Sequence, residues 1–138
     1  KNKMVRKNSQ FNIVIVGTGG QGQITLLQIL AEAASLEGYD VRTSELHGLS
    51  QRGGSVEVHI RFGRKIYPHT KRGQVATGAK IDEVSPHYGV GVYSPMVAKG
   101  KADLVLALEE QEVLRGIYYA NPKTNFLINK YIIPIPLI

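Results

Sequence analysis

The feature that most limits what this chain can fold into is a short glycine-rich run, Gly17-Thr18-Gly19-Gly20-Gln21-Gly22, set between two apolar stretches of different period. Before it, Phe11-Asn12-Ile13-Val14-Ile15-Val16 is short, apolar and β-branched, the pattern of a buried parallel strand. After it, Leu26, Leu27, Leu30, Ala33 and Ala34 recur at helical spacing over 23–37. Gly38 suits the position just past a helix end, where a left-handed backbone is needed. Strand, glycine turn and helix open an α/β sheet, and 39–45 reads as its second strand.

The next connection constrains direction. Residues 47–54, His47-Gly48-Leu49-Ser50-Gln51-Arg52-Gly53-Gly54, form a polar loop. Val56, Val58, Ile60 and Phe62 then alternate with Ser55, Glu57, His59 and Arg61. That alternation predicts a half-buried strand, with His59 on the polar, solvated or interfacial side. A parallel return needs a crossover of a dozen or more residues, so this strand is expected to run antiparallel to its neighbour. Residues 67–92 hold Pro68 and Pro86 and little periodicity, and read as an irregular loop or insertion. A short helix is expected at 95–100, a buried strand at 103–108, a helix at 109–119 with Glu109 and Glu110 capping it, and a strand at 126–128. The apolar end, Tyr131-Ile132-Ile133-Pro134-Ile135-Pro136, is unsuited to a central strand. It is expected to pack on something, with the chain continuing past Ile138 or docking on a partner.

Composition removes several function classes. There is no cysteine, hence no disulfide framework, thiol nucleophile or cysteine-held iron–sulfur cluster in this chain. The net charge of +6 is concentrated at Lys1, Lys3, Arg6 and Lys7, and again at Arg61, Arg64, Lys65, Lys71, Arg72 and Lys80. No aromatic residues interleave with these as a base-stacking platform requires, so a solvated tail and loop is favoured over a nucleic-acid surface. No stretch approaches the ~18 consecutive apolar residues of a membrane span, and no apolar leader core follows the basic start. The chain is read as soluble and cytoplasmic. No Ser-His-Asp set or carboxylate pair for acid–base work stands out, so no catalytic residue and no metal ligand set is assigned.

The glycine run permits three functional readings besides a plain tight turn. Gly17, Gly19 and Gly22 fit G-x-G-x-x-G between strand and helix, where backbone amides and the helix N-terminus favour an anion. A nucleotide P-loop is disfavoured, because Gln23 and Ile24 stand where Lys and Ser or Thr are required. A dinucleotide site gains from Glu45 at the end of the second strand, but the short loop after it does not continue as a dinucleotide fold would. The third reading is a pyrophosphate or carboxylate site for a cofactor shared with a partner chain.

Three blocks in order resemble one family. Ile13-Val14-Ile15-Val16-Gly17-Thr18-Gly19-Gly20-Gln21-Gly22 resembles the start of the γ subunits or γ domains of 2-oxoacid:ferredoxin oxidoreductases. Glu45-Leu46-His47-Gly48-Leu49-Ser50-Gln51-Arg52-Gly53-Gly54-Ser55-Val56 resembles their next block, and its Ser-Gln-Arg-Gly-Gly form is most like the small (beta) subunit of the indolepyruvate type. Tyr93-Ser94-Pro95, with Gly100-Lys101-Ala102-Asp103-Leu104-Val105-Leu106-Ala107-Leu108-Glu109, agrees as a third. The likeness covers roughly 11–62 and 93–129, whereas 67–92 departs from the pattern and its C-terminal part is missing after Ile138.

The resemblance implies a Rossmann-like, three-layer α/β domain with a mixed, mainly parallel sheet over 11–138, preceded by a basic tail at 1–10. It implies oxidative decarboxylation of a 2-oxoacid to an acyl-CoA with reduction of ferredoxin. Thiamine diphosphate and iron–sulfur clusters would lie on a large catalytic partner subunit, and coenzyme A would be shared with this chain. That fits the absence of cysteine and of a Gly-Asp-Gly sequence to open a thiamine diphosphate motif. On this reading the amides of Gly19, Gly20, Gln21 and Gly22 carry the phosphate, Arg52 forks onto it, and Gly17, Ser50, Gln51 and Gly53 complete the site. Against this, Arg52 reads equally as a surface ion pair or intersubunit contact. His47 is an acid–base candidate, more simply structural. The rival readings are a stand-alone NAD(P)-binding Rossmann protein and a purely structural subunit.

Overall fold

A computed structural model describes residues 10–47, 53–65 and 92–134, with the side chains of Arg64 and Lys65 excepted. The basic tail up to residue 9, the Ser50-Gln51-Arg52 triplet and all of 67–92 except Val92 lie outside the described residues.

The strand expected from the β-branched run is β1, Phe11–Thr18, buried from Asn12 onward. The glycine run follows, then α1, Gln23–Leu36, which ends as expected at Gly38 with φ +87°. β2 is Tyr39–His47 and β3 is Ser55–Lys65. After the undescribed stretch come β4, Leu104–Ala107, α2, Val113–Gly116, a 3₁₀ turn at Ile117–Tyr119, and β5, Asn125–Ile128. Among the described residues no helix is long and apolar enough to cross a membrane.

The strands form one sheet in the order β2-β3-β1-β4-β5. β3 pairs antiparallel with both β1 and β2, as the short 47–54 connection requires. β4 is parallel to β1 and to β5. β3 alone therefore runs against the rest, which gives the mixed, mainly parallel sheet of an open α/β fold.

Alternation along β1 divides the core into two. Ile13 and Ile15 face α1 and pack with Leu27, Val56, Val58 and Ile60. Val14 and Val16 face the other way and pack with Val97, Ala102, Val105, Ala107 and Tyr119. α1 covers one face, and α2, the 3₁₀ turn and 92–102 cover the other, so the three layers are present.

Three local expectations need correction. Residues 95–100 are bends and a turn, not a helix. Their backbone groups are spent on the sheet: Arg61 Nη1 donates to the Met96 carbonyl at 3.4 Å and the Val97 N–H donates to His59 Nδ1 at 3.0 Å. The helix expected over 109–119 is only Val113–Gly116 plus the 3₁₀ turn. The Glu109 carboxylate accepts the Ile133 N–H and the Glu110 N–H donates to the Tyr131 carbonyl, so both hold the 131–133 segment instead of capping a helix. His59 is wholly buried, because β3 is an inner strand covered on both faces.

Candidate functional site

The C-terminal ends of β1 and β4 lie side by side, and their chains leave toward opposite faces, one into α1 and the other into α2. Divergence of this kind is what forms the strand-end crevice in which open α/β sheets bind ligands. One wall is the glycine run. The other is 108–112, tied on by the Leu108 N–H to the Val16 carbonyl at 2.9 Å. The start of β3 flanks the glycine run on its far side.

The run is stapled by its own glutamines. Gln21 Oε1 accepts the Thr18 N–H, and Gln23 Nε2 donates to the Thr18 carbonyl, each at 2.8 Å. Gln23 is buried, so the residue standing where a P-loop carries lysine is a structural clasp. A Cβ at Gly17 would collide with the Gln23 Nε2 and would lie 2.7 Å from Gln21 Oε1. Gly17 is thus required by close approach.

The candidate anion donors divide into two groups. The Gly19 N–H is committed to the Gly54 carbonyl at 2.7 Å, and the Gln21 N–H to the Thr18 carbonyl at 3.2 Å. The amides of Gly20 and Gly22 carry no hydrogen bond among the described residues. Gly22 is the N-cap of α1, without a side-chain cap and with no acid in the first turn. Gly20 and Gly22 have φ of +94° and +90° with open space around them. An uncapped helix end with two unpaired amides suits a phosphate or carboxylate. The Gly19–Gly54 bond also brings Gly53 to this wall; Ser50, Gln51 and Arg52, which precede it in sequence, lie outside the described residues.

Glu45 and His47 lie on the edge strand, 3.4 Å apart and exposed. β3 separates β2 from β1, so Glu45 sits two strand spacings, about 10 Å, from the glycine strand. A ribose-binding acid belongs on the adjacent parallel strand. This geometry disfavours the dinucleotide reading. Among the described residues no three His, Asp or Glu side chains gather as a metal site.

A polar cluster on the α2 side escaped the sequence reading. Ser55, Glu57, His59 and Arg61 form one row of β3. Ser55 Oγ donates to Glu112 Oε1 at 3.0 Å, and Glu112 Oε2 lies 2.8 Å from Arg115 Nε. Glu57 Oε1 accepts from His59 Nε2 at 2.7 Å and from the Tyr119 hydroxyl at 2.5 Å. Burial alone would raise the Glu57 carboxyl, but the hydrogen bonds from His59 and Tyr119, with the positive charge of Arg115, hold it below its usual range. Burial, then the Glu57 carboxylate, pushes the Tyr119 phenol up. The available signal was a histidine two residues after a glutamate on an inner strand.

The family model for pyruvate ferredoxin/flavodoxin oxidoreductase matches residues 12–85, running into the stretch that the residue pattern set apart as 67–92. The chain is 38% identical over 126 residues to the indolepyruvate oxidoreductase subunit IorB of Archaeoglobus fulgidus, covering 91% of this chain and 49% of that protein. It is 41% identical over 110 residues to IorB of Thermococcus kodakarensis, covering 80% and 42%. The chain thus spans about half the length of the curated relatives it matches. Among solved structures it is similar to the 2-oxoglutarate:ferredoxin oxidoreductase of Magnetococcus marinus with 2-oxoglutarate, coenzyme A and succinyl-CoA bound. That match has a TM-score of 0.61 and 16% identity, covering 88% of this chain and 16% of that one. The pyruvate oxidoreductase subunit PORC of Thermotoga maritima matches with a TM-score of 0.58 and 18% identity, covering 89% and 51%.

Proposed function

Since the chain belongs to the pyruvate ferredoxin/flavodoxin oxidoreductase family, we propose that it is the non-catalytic-core γ-type part of a 2-oxoacid:ferredoxin oxidoreductase of the indolepyruvate type. Its role is to hold an anionic portion of coenzyme A beside a large partner subunit. The observation that carries the binding role is the glycine wall at the ends of β1 and β4, with the Gly20 and Gly22 amides unpaired among the described residues at an uncapped helix start. Those groups fit a phosphate, and Arg52, next to Gly53 in sequence, is the charged residue assigned to it. The IorB relatives support the indolepyruvate assignment, and the coenzyme A in the Magnetococcus marinus structure supports the ligand.

Thiamine diphosphate and iron–sulfur clusters on the partner would supply the decarboxylation and the electron transfer to ferredoxin. Residues of this chain bind and orient. The Gly20 and Gly22 amides and the positive end of α1 draw the anion into the crevice, and the Gln21–Thr18–Gln23 clasp keeps them in place. No side chain here is assigned a proton in the reaction.

The test is co-expression with a large thiamine- and cluster-bearing subunit, followed by indolepyruvate-dependent viologen reduction with and without coenzyme A. Turnover is expected only when both chains are present. Gly22→Asp, which places a carboxylate at the anion wall, and Arg52→Ala should each raise the KM for coenzyme A by about tenfold, the weight of one charge-assisted contact. Turnover by this chain alone, or an unchanged KM in both variants, would refute the proposal.

A further inference from the structure

Among the described residues, the buried ionisable side chains of β2 and β3, Asp40 and His59, lie toward α2 with the half-buried Glu57, whereas the buried cluster under α1 is aliphatic throughout. Three of the groups on the α2 side are joined across separate elements. The Val97 N–H donates to His59 Nδ1, which makes Nδ1 the acceptor and places the ring proton on Nε2. That proton goes to Glu57 Oε1, which also accepts the Tyr119 hydroxyl. The rings of His59 and Tyr119 meet edge-on at 4.8 Å, and the Tyr119 carbonyl accepts the Ala102 N–H at 2.8 Å. One carboxylate oxygen therefore ties β3, the 92–102 segment and the 3₁₀ turn together.

We infer that Glu57, His59 and Tyr119 form a charge-dependent latch, which releases the α2-side layer from the sheet when Glu57 loses its charge and leaves the α1-side core folded. Both bonds to Glu57 are charge-assisted while it is ionised, and about half as strong once it is neutral. The groups acting on it are His59 from β3, Arg115 from α2 and Tyr119 from the 3₁₀ turn, with Glu112, the residue before α2, paired to Arg115 and Ser55. Its cross-strand neighbours Val16 and Leu46 are apolar. The folded protein holds Glu57 below its unfolded value. Its contribution is thus complete above the unfolded value and is lost as pH falls through the folded one. The aliphatic α1-side cluster has no such dependence.

The experiment is amide hydrogen exchange by NMR on the full chain, expressed as protection factors from about pH 7 down to about pH 3, a window spanning the carboxylate range. Val97 and Ala102 should lose about tenfold or more of their protection on the acid side, while Val58, Ile60 and Leu27 keep theirs. In Glu57→Gln the Val97 and Ala102 amides should already be weakly protected at neutral pH and show no acid response. Tyr119→Phe keeps the carboxylate but removes a bond that favours its charge, so its release should move to higher pH; this variant decides the matter if Glu57→Gln does not fold. Loss of protection on both faces together, an unchanged acid response in Glu57→Gln, or an unshifted one in Tyr119→Phe would overturn the inference.

Discussion

Replacing Gly17 with alanine tests the view that the glycine wall is shaped from within. Gly17 is not among the residues with positive φ, so alanine meets no backbone penalty there. The obstacle is space. The new methyl would overlap the Gln23 amide, sit 2.7 Å from Gln21 Oε1 and 3.2 Å from the Leu108 Cβ. Both glutamines must move, and the Thr18 N–H and carbonyl lose their 2.8 Å partners. Thr18 is buried, so its N–H becomes unsatisfied, at about 1–3 kcal/mol, while its carbonyl keeps the Gln21 N–H at 3.2 Å. The expected loss is about 1–3 kcal/mol. For a chain of this length that lowers Tm by about 4–10 °C in a thermal melt followed by circular dichroism. The same change on a Gln23→Ala background should cost less, by about 1 kcal/mol or more, because the colliding amide is gone. A loss under about 0.5 kcal/mol, or full additivity of the two changes, would refute the reasoning.

Gly116→Ala drives a methyl into the wholly buried Val105 and should cost about 1–3 kcal/mol in urea unfolding despite the better helix former, with partial relief on a Val105→Ala background. Asp40→Ala removes the carboxylate that accepts the Val92 N–H at 2.8 Å, and should cost about 1–3 kcal/mol with faster amide exchange at Val92. Gly22→Ala, at φ +90° in open space, should cost only the left-handed backbone strain of about 1–2 kcal/mol, and Gly22→Asn less, by the same melts.

Much of the first half of the fold could be read from local pattern. The β-branched run, the glycines and the helical spacing of Leu26, Leu27 and Leu30 each point to one conformation. The antiparallel β3 followed from loop length alone. Where reading failed, tertiary partners had taken over backbone groups that local rules give to a helix. The Ser94 and Met96 carbonyls are held by Arg61, and the Glu110 N–H by Tyr131. His59 was placed on the correct face but read as solvated, because alternation equates polar with solvated, whereas Glu57 and Val97 satisfy both of its ring nitrogens in the interior. At the candidate site, the glycines could be found from spacing. The internal use of Gln21 and Gln23 could not, because it depends on how those side chains fold back over Gly17.

The lone reversed strand also bears on how the chain comes to be folded during synthesis. Because β3 returns beside β1, every buried member of the α1-side cluster, from Ile13 to Ile60, precedes residue 65. The opposite cluster draws Val14 and Val16 from β1 but waits for Val97, Ala102, Val105, Ala107 and Tyr119. The β1–β3 ladder closes over about half the chain separation spanned by β1–β4 and is twice as long. A nascent chain emerging from the ribosome can therefore bring together every buried member of one hydrophobic core before the β4 stretch is made and adds Leu104, Leu106 and Leu108 to its margin. Until then it exposes Val14, Val16 and the bare edge of β1, and this interval is where a chaperone or a premature partner would find it.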